Sequence, residues 1–245
     1  MMKAILLAAG LGTRLRPLTD TVPKCLVPIG GKPLLGHWLD ALAEAGIIDI
    51  LINLHHLADQ VRSYVQARPD SQNITLVYEK ELLGTAGTIR ENADFFKEEQ
   101  VMVIHADNFC TADLKKFIMA HDRRPAGTEI TMMTFITDQP ETCGIVETNS
   151  FGVVTAFHEK VKNPPGNIAN GAVYIWEPTV VRVVAGSEKK TLDISVDVVP
   201  YFLERMITWL SDGVFIDIGT HQNLENASRL HLQPRDVDTS SGEPE

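Results

Sequence analysis

A chain of 245 residues with 44% hydrophobic content has apolar side chains enough for one large α/β domain or two small ones, which excludes a disordered or fibrous protein. Its 22 Lys and Arg against 32 Asp and Glu leave a net charge of -10, which opposes general binding to nucleic acid or to an anionic membrane, where phosphates call for clustered cations. There is no run of about 18 apolar residues, no cleavable-signal layout and no C-x-x-C pair among Cys25, Cys110 and Cys143, so a cytoplasmic protein without disulfides or a zinc site is expected.

In chain order, residues 4–8 read as a buried strand, and Ala8-Ala9-Gly10-Leu11-Gly12-Thr13-Arg14-Leu15-Arg16-Pro17-Leu18-Thr19, followed by Pro23-Lys24, sits at its end. Gly10 and Gly12 let backbone amides approach a phosphate, while Arg14 and Lys24 bring charge that can follow a transferring phosphorus. The Rossmann pattern needs a third glycine where Leu15 stands, and the Walker pattern needs Gly-Lys-Ser/Thr where Gly31-Lys32-Pro33 stands, so both are excluded. Cys25 adjoins Lys24, but no step calls for a thiol and it is read as a bystander.

Residues 33–45 spell a helix with Leu34, Leu35, Trp38, Leu39 and Leu42 on one face, Pro33 in the first turn and Gly46 at the C-terminal cap. A strand over 47–54 runs into His55 and His56, which face opposite ways in an extended chain and have no third ligand at metal spacing; they receive no role. A weaker helix over 57–67 and a strand over 74–78 lead to Glu81-Leu82-Leu83-Gly84-Thr85-Ala86-Gly87-Thr88-Ile89, which opens a helix. Its small residues leave room for a flat base and free amides for its edge, and Thr85 suits a helix cap.

The strand over 101–106 ends at Asp107, and that over 214–218 contains Asp217. Ligands of open α/β sheets gather at the carboxyl ends of strands, and two hard oxygen ligands among apolar neighbours suit Mg²⁺ held together with substrate phosphates; turn caps are the alternative reading. A strand over 130–136 and helices over 113–121, 178–185, 195–206, the last interrupted by Pro200, and 221–230 complete the α/β alternation. Strands over 144–147, 153–158 and 171–176 lack long helices between them and predict an antiparallel excursion. With no repeat and no Gly/Ser linker, residues 1–232 are expected to form one catalytic domain and residues 233–245 a disordered tail.

The dense match G-x-G-T-R-L-x-P-L-T with P-K after it resembles the sugar-1-phosphate nucleotidyltransferases, and the resemblance extends over about residues 3–230. It implies a Rossmann-like α/β domain, a mixed and mainly parallel sheet flanked by helices with a small inserted sugar-binding section. The implied reaction joins a nucleoside triphosphate to a sugar 1-phosphate with release of pyrophosphate, and involves neither nucleic acid nor membrane. By resemblance, Ala8, Ala9, Gly10, Gly12, Thr13, Gly84, Thr85 and Ala86 bind the nucleotide, Arg14 and Lys24 are catalytic, and Asp107 and Asp217 hold Mg²⁺. Gly144, Glu159, Lys160 and Asn170 bind the sugar phosphate, although Val161 stands where the family often has Pro. The Leu-Leu-Gly-Thr-Ala-Gly and Asp-Ile-Gly-Thr segments look most like those of guanylyltransferases acting on mannose 1-phosphate or a manno-heptose 1-phosphate. Uridylyl or thymidylyl transfer and a non-catalytic nucleotide or sugar sensor are the alternatives. A glycosyltransferase is disfavoured because Asp107-Asn108-Phe109 lacks an Asp-x-Asp pair, the hexapeptide repeats of larger relatives are not visible, and homo-oligomerisation is left open.

Overall fold

The computed structural model describes residues 2–231, so the predicted tail lies outside the described residues. The strands are β1 (Met2–Leu7), β2 (Pro28–Ile29), β3 (Lys32–Pro33), β4 (Ile50–Leu54), β5 (Ile74–Tyr78), β6 (Gln100–His105), β7 (Asn108–Cys110), β8 (Ile130–Ile136), β9 (Gly144–Thr148), β10 (Val154–Glu159), β11 (Ile168–Trp176), β12 (Met206–Leu210) and β13 (Phe215–Asp217). The α-helices are α1 (Leu34–Glu44), α2 (Ala58–Gln66), α3 (Thr85–Glu91), α4 (Ala93–Phe96), α5 (Leu114–Asp122), α6 (Pro178–Ala185) and α7 (His221–His231).

Parallel strands in the order β5-β4-β1-β6, with β5 at the edge, form one half of a nine-stranded sheet. Both faces of β1, β4 and β6 are covered, which is why these strands read as unbroken apolar runs. Along β1, Ala4 and Leu6 join a core with Leu34, Leu35, Trp38 and Leu39 of α1, while Ile5 and Leu7 join a second core with Ile89 of α3 and Val180 and Val184 of α6. Helix α1 buries its predicted stripe, and Gly46 follows it in the left-handed region at φ 81°, where a non-glycine residue would be strained.

The antiparallel excursion is present as β11, which pairs antiparallel with β6, β8 and β9, with β10 antiparallel beyond β9. These strands continue the main sheet rather than forming a separate layer. Two expectations need correction. The helix over 195–206 does not form: Asp193 caps a π-turn at Ile194–Val198, Pro200 opens a 3-10 turn, and Met206–Leu210 becomes a strand parallel to β8. Proline lacks the amide a helix interior needs, and the sheet edge offered by β8 satisfies the backbone that follows. The strand over 214–218 is confined to Phe215–Asp217 and leaves the main sheet to pair with β7.

A buried polar network ties the excursion to the helices. His121 of α5 is fully buried, its ring nitrogens 2.7 Å from Thr131 Oγ1 and 3.0 Å from Glu177 Oε1, and Glu177 also accepts from Gln100 Nε2 at 2.8 Å and from Arg124. Burial holds His121 below the ordinary histidine range, so the folded chain keeps it neutral while the unfolded chain takes up its proton near pH 6.5. The unfolded state therefore binds more protons as pH falls through 6.5, and the contribution of His121 to stability is lost with it. His121→Ala is expected to lower unfolding free energy by about 3 kcal/mol at pH 8, since it leaves both a cavity and unpaired buried groups. Denaturant melts from pH 8 to pH 5.5 should show a shallower decline for His121→Gln than for the natural chain; an identical slope would exclude the histidine as a source of it.

Candidate active site

In the sheet order, the chain moves from β1 outward to β4 and β5 and then returns to the other side of β1 with β6. Loops leaving β1 and β6 at such a reversal diverge and open a crevice at the carboxyl ends of the strands. A cleft of about 220 Å³ lies there, lined by Ala8, Ala9 and Gly10 after β1, Asn53 at the end of β4, Glu79 after β5, Gly84, Thr85 and Thr88 around the start of α3, and Asp107 after β6.

At one side of this cleft the signature loop meets the two aspartates. Lys24, 6% exposed, sits in a 3-10 turn with its Nζ 2.7 Å from Asp107 Oδ2 and 3.3 Å from Asp217 Oδ1. Arg14 adds a contact of 3.4 Å from Nη2 to Asp217 Oδ2. The 110 positions that separate the aspartates in sequence are closed by β7 and β13: Asp217 stands opposite Asn108, the residue after Asp107. Trp38 Nε1 donates to the Asn108 carbonyl at 2.7 Å and fixes this ribbon on α1. The cleft walls disfavour the charge on Asp107, but the Lys24 ammonium, with a smaller contribution from His105, outweighs them and holds the carboxyl below its usual range. Two carboxylates converging on one cation position make a donor set that fits Mg²⁺, a hard ion that shares its sphere with phosphates.

The loop itself is fastened from beneath. Gly12 lies at φ 64°, and its carbonyl accepts from Thr19 Oγ1 at 2.7 Å. His56 Nε2 lies 2.9 Å from the Thr19 carbonyl and Gln60 Nε2 donates to the Thr21 carbonyl at 2.8 Å, so His56, to which sequence gave no role, anchors the turn before Lys24. Around Gly10 a Cβ would meet nothing within 4 Å, so the requirement for glycine there is not a packing one; Thr13 is exposed at the start of a 3-10 turn. Gly219 leaves space for Arg14: a Cβ there would come within 2.6 Å of the guanidinium. Burial pushes the Cys25 thiol up to about 12, which makes it inert, as expected of a bystander.

The far side of the cleft holds residues that sequence reading missed. Asn53, 4% exposed, accepts from the Ala8 amide at 2.7 Å and donates to Glu79 Oε1 at 2.9 Å and Thr88 Oγ1 at 3.1 Å. Glu79, 7% exposed, also accepts from Thr88 Oγ1 at 2.5 Å, and its Oε2 lies 3.5 Å from the Leu83 amide. The available signal was the one that found Asp107: an acidic residue just past the carboxyl end of an apolar strand. The reading of the Gly84 segment is corrected in two respects. The Ala86 and Gly87 amides are not free for a ligand, since both donate to the Leu192 carbonyl at 2.9 and 3.0 Å, and Ala86 is fully buried outside the cleft lining. The helix cap is Gly84 at φ 83°, not Thr85.

Of the residues expected to meet a sugar phosphate, Gly144 stands opposite Glu159 in the β9–β10 pair, and a Cβ at 144 would lie 2.4 Å from the Phe157 ring and 2.7 Å from Glu159 Oε2. Lys160 follows at φ 49° with its ammonium 3.3 Å from Glu159 Oε1. Asn170 spends both ends of its amide inside the protein, Nδ2 on Tyr174 Oη at 2.6 Å and Oδ1 on the Ala172 amide at 2.9 Å, which sets the irregularity in β11. Gly171, next along, packs its α-carbon side against the Phe215 ring, two residues before Asp217, so these strands abut the Lys24 cluster. Among the described residues no helix is long and apolar enough to cross a membrane.

Known proteins are similar to this chain in sequence and in fold. The chain is 30% identical over 241 residues to mannose-1-phosphate guanyltransferase of Saccharomyces cerevisiae, covering 94% of this chain and 65% of the relative. It is 32% identical over 244 residues to the protein of that name from Schizosaccharomyces pombe, covering 94% and 64%. It thus spans just under two thirds of the length of these relatives. A solved structure of HddC from Yersinia pseudotuberculosis complexed with GMP-PN superposes with a TM-score of 0.78 at 26% identity, covering 94% of this chain and all of that one. Residues 3–233 match the nucleotidyl transferase family, and the chain belongs to it.

Proposed function

We propose that the protein transfers a nucleoside monophosphate from GTP to mannose 1-phosphate or a manno-heptose 1-phosphate, releasing pyrophosphate, in the cytoplasm. The observation that carries this reading is the convergence of Lys24, Arg14, Asp107 and Asp217 at the mouth of a cleft at the sheet's switch point. An oxygen of the sugar 1-phosphate forms a bond to the α-phosphorus while the bond from that phosphorus to the β-bridging oxygen breaks, and the electron pair leaves with pyrophosphate. The attacking oxygen is already ionised, so no side chain serves as a strong base. Positioning and charge neutralisation do the work: Lys24 holds phosphoryl oxygens, and the exposed Arg14 reaches charge developing on the leaving group. Asp107 and Asp217 would hold Mg²⁺, which when bound neutralises phosphate charge.

Glu79 supports the choice of base. Its carboxylate is buried, lines the cleft and offers acceptors only, with Oε2 lightly used. Guanine presents adjacent N–H donors on its pairing edge, whereas uracil and thymine flank their single N–H with carbonyls that a carboxylate repels. The names of the relatives above and the GMP-PN bound to HddC agree with guanine. A panel of GTP, UTP, dTTP, CTP and ATP against several sugar 1-phosphates should give the highest kcat/KM with GTP and a manno-configured sugar. Glu79→Gln, which supplies one donor and one acceptor, is expected to lower kcat/KM for GTP by roughly 10- to 100-fold, the loss of a charge-assisted hydrogen bond, while UTP or dTTP gains relative to it. A natural preference for UTP or dTTP would overturn the guanine assignment and leave the reaction class standing.

Arg14→Ala is expected to reduce kcat by roughly 10²-fold with an unchanged melting temperature, because a donor aimed at developing charge is lost while Asp217, its partner among the described residues, is itself half-exposed. Gly219→Ala should give a similar loss by displacing the guanidinium; normal turnover in both would make the loop a binding element only.

Asp107→Asn and Asp217→Asn should each raise the Mg²⁺ concentration needed for half-maximal turnover, with the double variant little worse than the poorer single, as for residues acting as one unit. Each should also lower the melting temperature of the ligand-free protein, since nearly buried Lys24 loses half of its compensation. An unchanged metal titration for Asp217→Asn would reduce that residue to a partner of Lys24.

A further inference from the structure

Residues 187–199 form a strap across the start of α3, pinned at its centre by Leu192 and Ile194, 5% and 0% exposed. The Leu192 carbonyl accepts the Ala86 and Gly87 amides, and its amide donates to the Leu83 carbonyl at 3.0 Å. A Cβ at Gly84 would lie 2.4 Å from that same carbonyl, so the conformation of the 83–87 loop is cut to the strap. Thr85 completes the joint: its hydroxyl donates to Asp193 Oδ2 at 3.0 Å and accepts from the Ile194 amide at 2.8 Å. With its single proton committed to Asp193, the hydroxyl has none left to donate to a ligand.

The carboxylate of Asp193 is divided between two tasks. Oδ1 caps the turn that follows, accepting the Ser195 and Val196 amides at 2.8 and 3.2 Å. Oδ2 does nothing for that turn; its partner is a residue that lines the nucleotide cleft. The Asp193 amide in turn donates to Asp197 Oδ2 at 2.8 Å, and Asp197 pairs with Lys189, so the oxygen facing Thr85 is held by a braced segment rather than a loose loop. A cap requires one acceptor oxygen, and Asn supplies it as well as Asp. The second oxygen therefore calls for another explanation.

We propose that Asp193 is a positioning residue for the nucleotide: acting through Thr85, it sets the 83–87 loop at the spacing from β1 that a base and ribose need, although it does not itself line the cleft. This rests on the reading that the nucleotide occupies the cleft between β1 and α3. Because Leu192, Asp193 and Ile194 hydrogen-bond to Leu83, Thr85, Ala86 and Gly87 of the nucleotide wall, loss of the Asp193–Thr85 contact weakens nucleotide binding and leaves the sugar phosphate nearly alone.

Calorimetric titration of the full-length protein with GTP in the presence of Mg²⁺ tests this without requiring turnover. Asp193→Asn keeps the cap oxygen and removes the acceptor for Thr85; it is expected to raise Kd for GTP by roughly tenfold, the scale of one hydrogen bond to a charged group, with Tm nearly unchanged and KM for the sugar 1-phosphate within about twofold of normal. Thr85→Val should give at least that shift, since it also loses the Ile194 amide as a partner, and the double variant should be no worse than Thr85→Val, in which the Asp193 contact is already broken. Lys190→Ala, which removes only a peripheral ion pair of the strap with Glu81, serves as the control and should bind normally. A normal Kd for Asp193→Asn, or independent losses that multiply in the double variant, would overturn the proposal, as would equal weakening of both substrates. If the natural chain binds GTP but turns over no sugar 1-phosphate, the reaction reading fails while this test stands; if it binds no nucleoside triphosphate, both fail.

Discussion

The architecture of this site turns on one nearly buried cation. Lys24 has lost most of its contact with water, and an ammonium in that position is tolerated only if carboxylates replace the lost hydration. Asp107 and Asp217 do so, and in doing so they bind three remote stretches of chain to each other: the signature loop after β1, the turn after β6 and the end of β13. The excursion of the chain through β8 to β12 has to return to this point, and the β7–β13 ribbon is the short piece of backbone that brings it there. The same charges that stabilise the join are those a triphosphate and its metal would engage, so structural and chemical demands fall on one cluster.

Around that cluster the cleft is divided. One wall, built from Asn53, Glu79 and Thr88, is a connected polar network in which each buried group has a partner. Such networks hold a unique geometry because an unpaired member is expensive in a low-dielectric interior. Beyond the cleft, the β9–β10 hairpin and β11 rely on close backbone approach at Gly144 and on the bulge that Asn170 organises. The start of α3, which as a helix N-terminus could have received an anion, is instead closed by the Leu192 carbonyl. In the proposed reaction, phosphate recognition falls to the signature loop, Lys24 and Arg14.

Much of this was legible in the sequence because it is local. Periodicity identified α1 and α6 and the strands at Ile74–Tyr78 and Ile130–Ile136, where side-chain spacing and backbone preference agree. The segment from Ala8 to Lys24 and the aspartates at 107 and 217 stood out because glycines, cations and carboxylates beside apolar strands require a reason. The helix expected over 195–206 failed because Asp193 caps a separate turn at Ile194–Val198 and Pro200 lacks the amide a helix interior needs, while Met206–Leu210 takes the free edge of β8.

The sequence by itself determined most of the elements, the apolar faces and the identity of the charged residues, since each depends on neighbours within a few positions. The tertiary structure decided which of those residues share a site. It brought Asp217 to Asp107, gave Lys24 to both, put Glu79 beside Asn53 rather than at the surface, and closed the Ala86 and Gly87 amides with a carbonyl from more than 100 positions away. Hydrogen bonds and ion pairs act over about 3 Å in space and are indifferent to distance along the chain, so no local pattern records them until the sheet order is fixed.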